Sequence, residues 1–324
     1  MTYSVGGLIQ ASDFTTFQTS LNTFWSTGAS DNGWGQTAIA GAGAFSVVTA
    51  TTWASLVNTL ATSGSQTTTT LTSRTAPVTG SVIAILANMA TDLSSVTTRR
   101  GFATSVGTTS SAFTGSITKG TTTGSGTSAW TIVFTQTVTF PSAAQARYFW
   151  NAGGLVRLDM SKTSTGTDID ADWNTFIGTV GTLYISGRVN GAAQTIAGTS
   201  YSGFTRIGGS GTPGVYNTNI GWYQMTAGAG LTSLFQLNST VYPYTSDFVR
   251  VQAQVDATRT ILTIVTTWSQ STQSYSTVIS GGTGTLSPYT AFGTAPAVLC
   301  RYIPPSTTYL TNTWGTPVVA SSVV

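Results

Sequence analysis

Trp130-Thr131-Ile132-Val133-Phe134-Thr135-Gln136-Thr137-Val138-Thr139-Phe140 alternates large apolar residues with threonine or glutamine through most of its length. Successive side chains of a strand point to opposite faces, so this period of two is the mark of a half-buried β-strand. Pro141-Ser142 stops it. Working outward, Ala143 to Trp150 reads as a short helix ended by Gly153-Gly154, and Leu155 to Met160 as the next strand. Trp173 to Val180 reads as a second short helix with Asp170 or Asp172 as its cap. Strands are expected at Leu183 to Val189, Gly221 to Met225, Ser233 to Leu237, Phe248 to Val255, Thr260 to Trp268 and Ala297 to Ile303, with Asp256 to Arg259 as a hairpin turn. Residues 101–324 therefore predict an antiparallel β-sandwich with short helices in its connections, open to subdivision near 190–200.

The first hundred residues carry a different period. Phe14, Phe17, Leu21, Phe24 and Trp25 follow helical spacing, with Ser12 or Asp13 as cap and Gly28 as terminator. Thr51 or Thr52 caps a second expected helix through Trp53, Leu56, Val57 and Leu60, closed by Ser63-Gly64. A short extended piece is expected around Phe45 to Val48, and a third helix from about Val82 to Leu93. The fold class is thus α+β, mainly β: a mainly helical N-terminal region, 1–100, followed by the sandwich body.

Composition narrows function. The 324 residues include no His, every one of the nine acidic residues is Asp, and charged residues make up 6%. General acid–base chemistry draws on His, Glu, Asp or Lys. Two of those are absent and Lys occurs only at 119 and 162, so a non-catalytic role is expected. Threonine is about a fifth of the chain, which favours strands. Weak self-repulsion suits faces that neighbours cover. The arginines are dispersed apart from Arg99-Arg100, which gives no basic stripe for nucleic acid. Cys300 is single and reads as a buried small hydrophobe. The start, Met1-Thr2-Tyr3-Ser4, lacks a signal-peptide pattern, and the longest apolar run, Val82 to Leu86, is too short for a membrane span. Synthesis in a cytoplasm without signal-led export or membrane insertion is expected.

Candidate sites are few. Asp168, Asp170 and Asp172 alternate as carboxylates do at the start of a calcium loop. Trp173 and Thr179 stand where that loop needs Gly and an acid, so the segment reads better as a helix-capping loop. Gly33-Trp34-Gly35-Gln36 could be a ligand-binding turn but lacks the context of a phosphate loop; it reads as a tight turn wedging Trp34 into the core. Trp222, Tyr223, Tyr242 and Tyr244 are candidate surface aromatics for sugar rings. No cofactor or resident metal is expected.

The stretch from Phe140 to Gly154, Phe-Pro-Ser-Ala-Ala-Gln-Ala-Arg-Tyr-Phe-Trp-Asn-Ala-Gly-Gly, resembles a segment of virion structural proteins of tailed phages, notably contractile-tailed marine phages. In that family a strand ending in Thr-Phe precedes Ala-Arg-Tyr-Phe-Phe-Asn-x-Gly-Gly and an alternating strand; Trp150 stands at the second Phe. Gly33 to Gln36 and the Trp53 helix are similar to its N-terminal part, where Gly-Tyr-Gly-Gln is usual and a His follows; here that His is missing. The likeness covers about residues 10–190. It implies a tail, baseplate, fibre or neck component, and no reaction. Arg147, Tyr148, Phe149, Trp150, Asn151, Gly153 and Gly154 then form a folding signature, with Asn151 and Gly153 as the left-handed cap. The expected partners are copies of the chain, as a trimer or hexamer, and other tail or neck proteins. The alternatives are a tip module binding host surface glycans and a head decoration protein.

Overall fold

The computed structural model describes residues 11–42, 47–80, 88–109, 116–118, 129–163, 168–188, 194–240, 245–271, 276–279, 282–285 and 296–324. Three helices come first: α1 (Ala11–Trp25), α2 (Ala50–Gln66) and α3 (Met89–Arg99). The body follows as β1 (Ser116–Thr118), β2 (Trp130–Thr139), α4 (Ala143–Asn151), β3 (Leu155–Ser161), α5 (Asp168–Val180), β4 (Thr182–Ile185), β5 (Gln194–Ile196), β6 (Thr199–Tyr201), β7 (Phe204–Ile207) and β8 (Val215–Tyr216). It ends with β9 (Thr232–Asn238), β10 (Phe248–Val255), β11 (Ile261–Gln270), β12 (Ser276–Ile279), β13 (Gly282–Thr285), β14 (Ala297–Ile303) and β15 (Val318–Val323).

Two antiparallel sheets make the sandwich. One runs β1-β14-β3-β4-β7 and the other β15-β2-β11-β10-β9-β8. β2 is central in the second: it pairs with β11 from Ile261↔Thr139 to Gln270↔Trp130, and with β15 on its other side. Its alternation is met, because Ile132, Phe134, Gln136 and Val138 are fully buried while residues between them are not. Most buried residues of the helices and of both sheets, from Phe14 to Trp314, form one continuous core, and Ala103, Leu155, Ile196 and Ile303 form a small second cluster. Phe14 meets Trp53 edge-on at 5.0 Å, joining α1 to α2. α4 and α5 lie in the connections β2–β3 and β3–β4, as α+β patterning expects. The Trp173 ring of α5 stacks on Trp268 of β11 at 5.9 Å and 6°, and its Nε1 donates to Gln270 Oε1.

Several expected boundaries shift. α1 already contains Ser12 and Asp13, and Asp13 is buried. The N-cap of α2 is Thr49, whose hydroxyl accepts from Thr52 N; Ser63 and Gly64 lie inside the helix. The third helix begins at Met89 and runs on to Arg99, while the expected part at 82–87 lies outside the described residues, as do residues 45–46 of the expected extended piece. Leu183 to Val189 shortens to β4. Gly221 to Met225 is a turn and not a strand: Gln224 N and Met225 N both donate to the Gly221 carbonyl. The helical hydroxyls mostly fold back on their own backbone. Thr15, Thr16, Ser20 and Thr23 donate to the carbonyls four residues earlier, and so do Thr62, Ser95 and Thr98.

The hairpin turn between β10 and β11 is set by one carboxylate. Asp256 accepts from the backbone N–H of Thr258, Thr260 and Ile261 and from the Thr258 and Thr260 hydroxyls. Burial alone would raise its pKa, but these hydrogen bonds outweigh that and hold it at about 2. A depressed carboxylate stabilises the fold above its unfolded pKa and loses that contribution as pH falls through the folded one. The turn is therefore expected to loosen between its ordinary value of 3.8 and about 2. Amide exchange at Thr260 and Ile261 followed through that window checks this. Equal exchange in the wild type and in Asp256→Ala would contradict it.

Candidate functional site

The signature from Arg147 to Gly154 sits at a junction of four chain segments. Its helix, α4, starts because the Ser142 hydroxyl accepts from Gln145 N at 3.2 Å, with the Gln145 side chain returning to that hydroxyl. It ends because Gly153 adopts φ +108° and Gly154 N donates to Phe149 O, a Schellman closure. A Cβ on Gly154 would lie 2.4 Å from the Phe149 ring, so only glycine fits.

Asn151 departs from its expected role. It is the last residue of α4 and not a left-handed cap; Gly153 alone supplies the positive φ. Its side chain is a buried hub. Nδ2 donates to Gly33 O at 3.0 Å, and Oδ1 accepts from Arg188 Nη2 at 2.8 Å and from the Tyr223 hydroxyl at 2.9 Å. Its carbonyl accepts from Trp34 Nε1 at 3.2 Å. Arg147 reaches the same turn by donating to Thr27 O at 2.7 Å.

The turn that receives these bonds is Ser26 to Gln36. Gly28 and Gly33 take positive φ, and a Cβ on Gly33 would strike Thr27 O at 2.5 Å. Trp34 is buried, edge-on to Phe24 at 5.3 Å, which meets the expectation of a tight turn with a wedged Trp. Gly35 packs flat on the Tyr148 ring. Gln36 spends its amide on the C-terminal segment: Nε2 donates to Thr311 O, and Oε1 accepts from Thr311 N and Oγ1.

Arg188 was missed by sequence reasoning. It is 6% exposed and pairs with Asp31 Oδ2 at 3.2 Å and Asp31 O at 2.7 Å. It also lies over the Tyr223 ring at 5.2 Å. No local pattern marks it, because its side-chain hydrogen-bond partners are 37 and 157 residues away. Burial raises the Tyr223 hydroxyl far above its ordinary value, against the pull of Arg188, so it stays protonated. Burial and then the Arg188 charge lower Arg100, which donates to Asn32 Oδ1.

The expected surface aromatics are corrected. Trp222 is 1% exposed and stacks on Trp150 at 5.4 Å and 25°. Tyr223 is turned into the junction by its bond to Asn151. The tight turn of Gly221 to Met225 causes both, because Trp222 N and Tyr223 N donate to Ser186 O and Gly187 O. Tyr242 and Tyr244 lie outside the described residues.

Asp168, Asp170 and Asp172 fall within the first five residues of α5 and not in a loop. The side chains at 168–170 lie outside the description, and among the described residues no group of three metal-ligating side chains occurs. Cys300 is buried as expected, its thiol pushed up to about 12 by burial. A cleft of about 550 Å³ between α2 and residues 68–74 includes Leu60, Gly64, Leu71 and Arg74. Arg74 closes its rim by pairing with Asp92 of α3 at 2.5 Å.

Chemically, the junction is a clamp. Donors and acceptors from the first forty residues, α4, the 186–188 loop, the 221–225 turn and the 311–313 segment bond to one another, although the Nε groups of Arg147 and Arg188 are buried without a hydrogen bond. Among the described residues no helix is long and apolar enough to cross a membrane. No family model, curated protein or solved structure matches the chain.

Proposed function

We propose that the chain is a structural protein of a tailed-phage virion, a tail, baseplate, fibre or neck component that acts by assembling with copies of itself and with adjoining proteins. The observation that carries this reading is the use made of the Arg147–Gly154 signature. Its residues are spent in locking the turn at 26–36 onto the β body, and Gln36 of that turn holds the C-terminal segment, which is what a part needs to hold shape under neighbours' contacts. The absence of His and Glu and the 6% charge support the same reading. Mass spectrometry of purified particles, with antibody labelling to place the chain in them, tests it. A chain missing from the particles and monomeric at high concentration would sink the proposal.

A second reading, glycan recognition at an exposed tip, is favoured by one pair outside the junction. Tyr184 and Tyr201 stand edge-to-face at 5.2 Å, both partly exposed. Arg157, directly across from Tyr184, is ion-paired to Asp159. Aromatic rings beside paired charges can hold a sugar. Glycan-array binding that survives Tyr184→Ala and Tyr201→Ala unchanged would remove this reading.

A further inference from the structure

The two sheets have four edges, and three are protected. β8 is two residues long and β1 three. β7 is four residues long, and its outward Arg206 N–H is taken by the Tyr216 hydroxyl at 2.9 Å. Proteins blunt edges by such means, or with charge and proline, because unpaired strand groups recruit other strands. β15 has none of these devices. Val-Val-Ala-Ser-Ser-Val, 318–323, carries no charge and no proline.

The register says which of its groups are free. Val324 and Val133 exchange both backbone hydrogen bonds, at 3.0 and 2.9 Å. Antiparallel pairs alternate, so Val318, Ala320 and Ser322 also turn their backbone groups toward β2. The N–H and C=O of Val319, Ser321 and Val323 then point away from it. Among the described residues nothing accepts or donates to them; β1 pairs with β14 instead.

A second anomaly lies beside this edge. Gln136, on β2, is fully buried with neither end of its amide hydrogen-bonded. Its direct cross-strand partner is Ser321, whose buried hydroxyl is likewise unpaired. Buried polar groups left unpaired are rare and costly. Here two stand side by side, in a row that runs out to the unprotected edge.

We propose that β15 pairs antiparallel with β15 of a second copy about a two-fold axis through Ser321. That register is self-complementary, as a two-fold contact requires. Ser321 meets Ser321 of the partner subunit, and Val319 meets the partner's Val323, so all six free backbone groups are used. Core-facing side chains stay on one side of the joined sheet. The row Gln136–Ser321 then continues into its mate, and each Ser321 hydroxyl gains a partner in the other. An uncharged strand has no repulsion to overcome in meeting itself. The proposal takes only the identity of the partner from the assembly reading.

Two variants of the full chain test it by sedimentation velocity, with circular dichroism to check folding. Ser321→Pro removes an N–H that β2 does not use, so it blocks the edge and spares the internal ladder. Ala320→Lys with Ser322→Lys places like charges on exposed positions that face one another only across the two-fold. The wild type should sediment at twice the 33.5 kDa chain mass, or at an even multiple of it. Each variant, while folded, should weaken dimerisation at least tenfold. Should Ser321→Pro fail to fold, the lysine pair decides alone. A wild-type oligomer that neither folded variant disturbs overturns the edge contact but leaves assembly standing. A monomeric wild type overturns the edge contact whatever particle analysis finds, and absence from particles as well removes the assembly reading too.

Discussion

Replacing Asn151 with Leu is expected to lower the unfolding free energy by about 3–5 kcal/mol, the cost of stripping a partner from a buried charged network. Leu matches the amide in heavy-atom count and branching but is bulkier, so overpacking adds to the polar loss. Three groups lose a bond at once: Gly33 O, the Tyr223 hydroxyl, which keeps only a 3.4 Å contact to Arg147 O, and Arg188 Nη2, which keeps Asp31 O. Arg188 matters most, because at 6% exposure water cannot replace what the amide oxygen gave it. Asn151→Asp keeps both acceptor bonds and adds charge opposite Arg188 but sets an oxygen against Gly33 O, so its loss should be smaller than that of the Leu variant. Urea unfolding followed by tryptophan fluorescence checks the pair. A Leu variant within about 1 kcal/mol of wild type would show that the hub is not a unit.

The second large effect is Trp150→Ala, expected to cost about 3–5 kcal/mol through lost burial and the cavity left behind. Trp150 is fully buried among Trp222, Phe149 and Phe140, with ring centroids 5.4, 5.0 and 5.8 Å away. The backbone leaves little room for collapse, since Gly187 packs against Trp150 with a would-be Cβ only 2.8 Å from the Trp150 Cβ. Trp150→Phe keeps an aromatic ring among these neighbours, and should cost well under half as much. Thermal denaturation with near-ultraviolet dichroism distinguishes the two. Equal losses would mean that the indole–indole stack carries the energy and that ring volume does not.

What could be read from sequence follows from how local each cause is. β2, β10 and β14 were legible because burial on one face stamps a period of two on them. The end of α4 was legible in Gly153-Gly154 because chain reversal needs a residue free of Cβ. The Asp168 segment misled, since Asp is a weak helix former inside a helix, yet stabilises a first turn through the helix dipole. Trp222 and Tyr223 misled in the other direction. Their apolar content suggested a strand or a surface platform, but Gly221, 2.6 Å from Ser186 O at its would-be Cβ, folds them inward. The junction as a whole was half legible. Its α4 side was marked by a short helix ended at Gly153-Gly154, while Arg188, Asp31 and Gln36 act through partners far away in sequence.

The hydroxyls that fold back along α1, α2 and α3 have a consequence for how the surface meets solvent. A threonine whose oxygen is held by its own helix offers the outside mainly its methyl group. A surface rich in threonine on paper is therefore drier than its composition suggests, and it carries almost no ions for dissolved salt to screen. Contacts made by such faces should hold equally in fresh water and in brine.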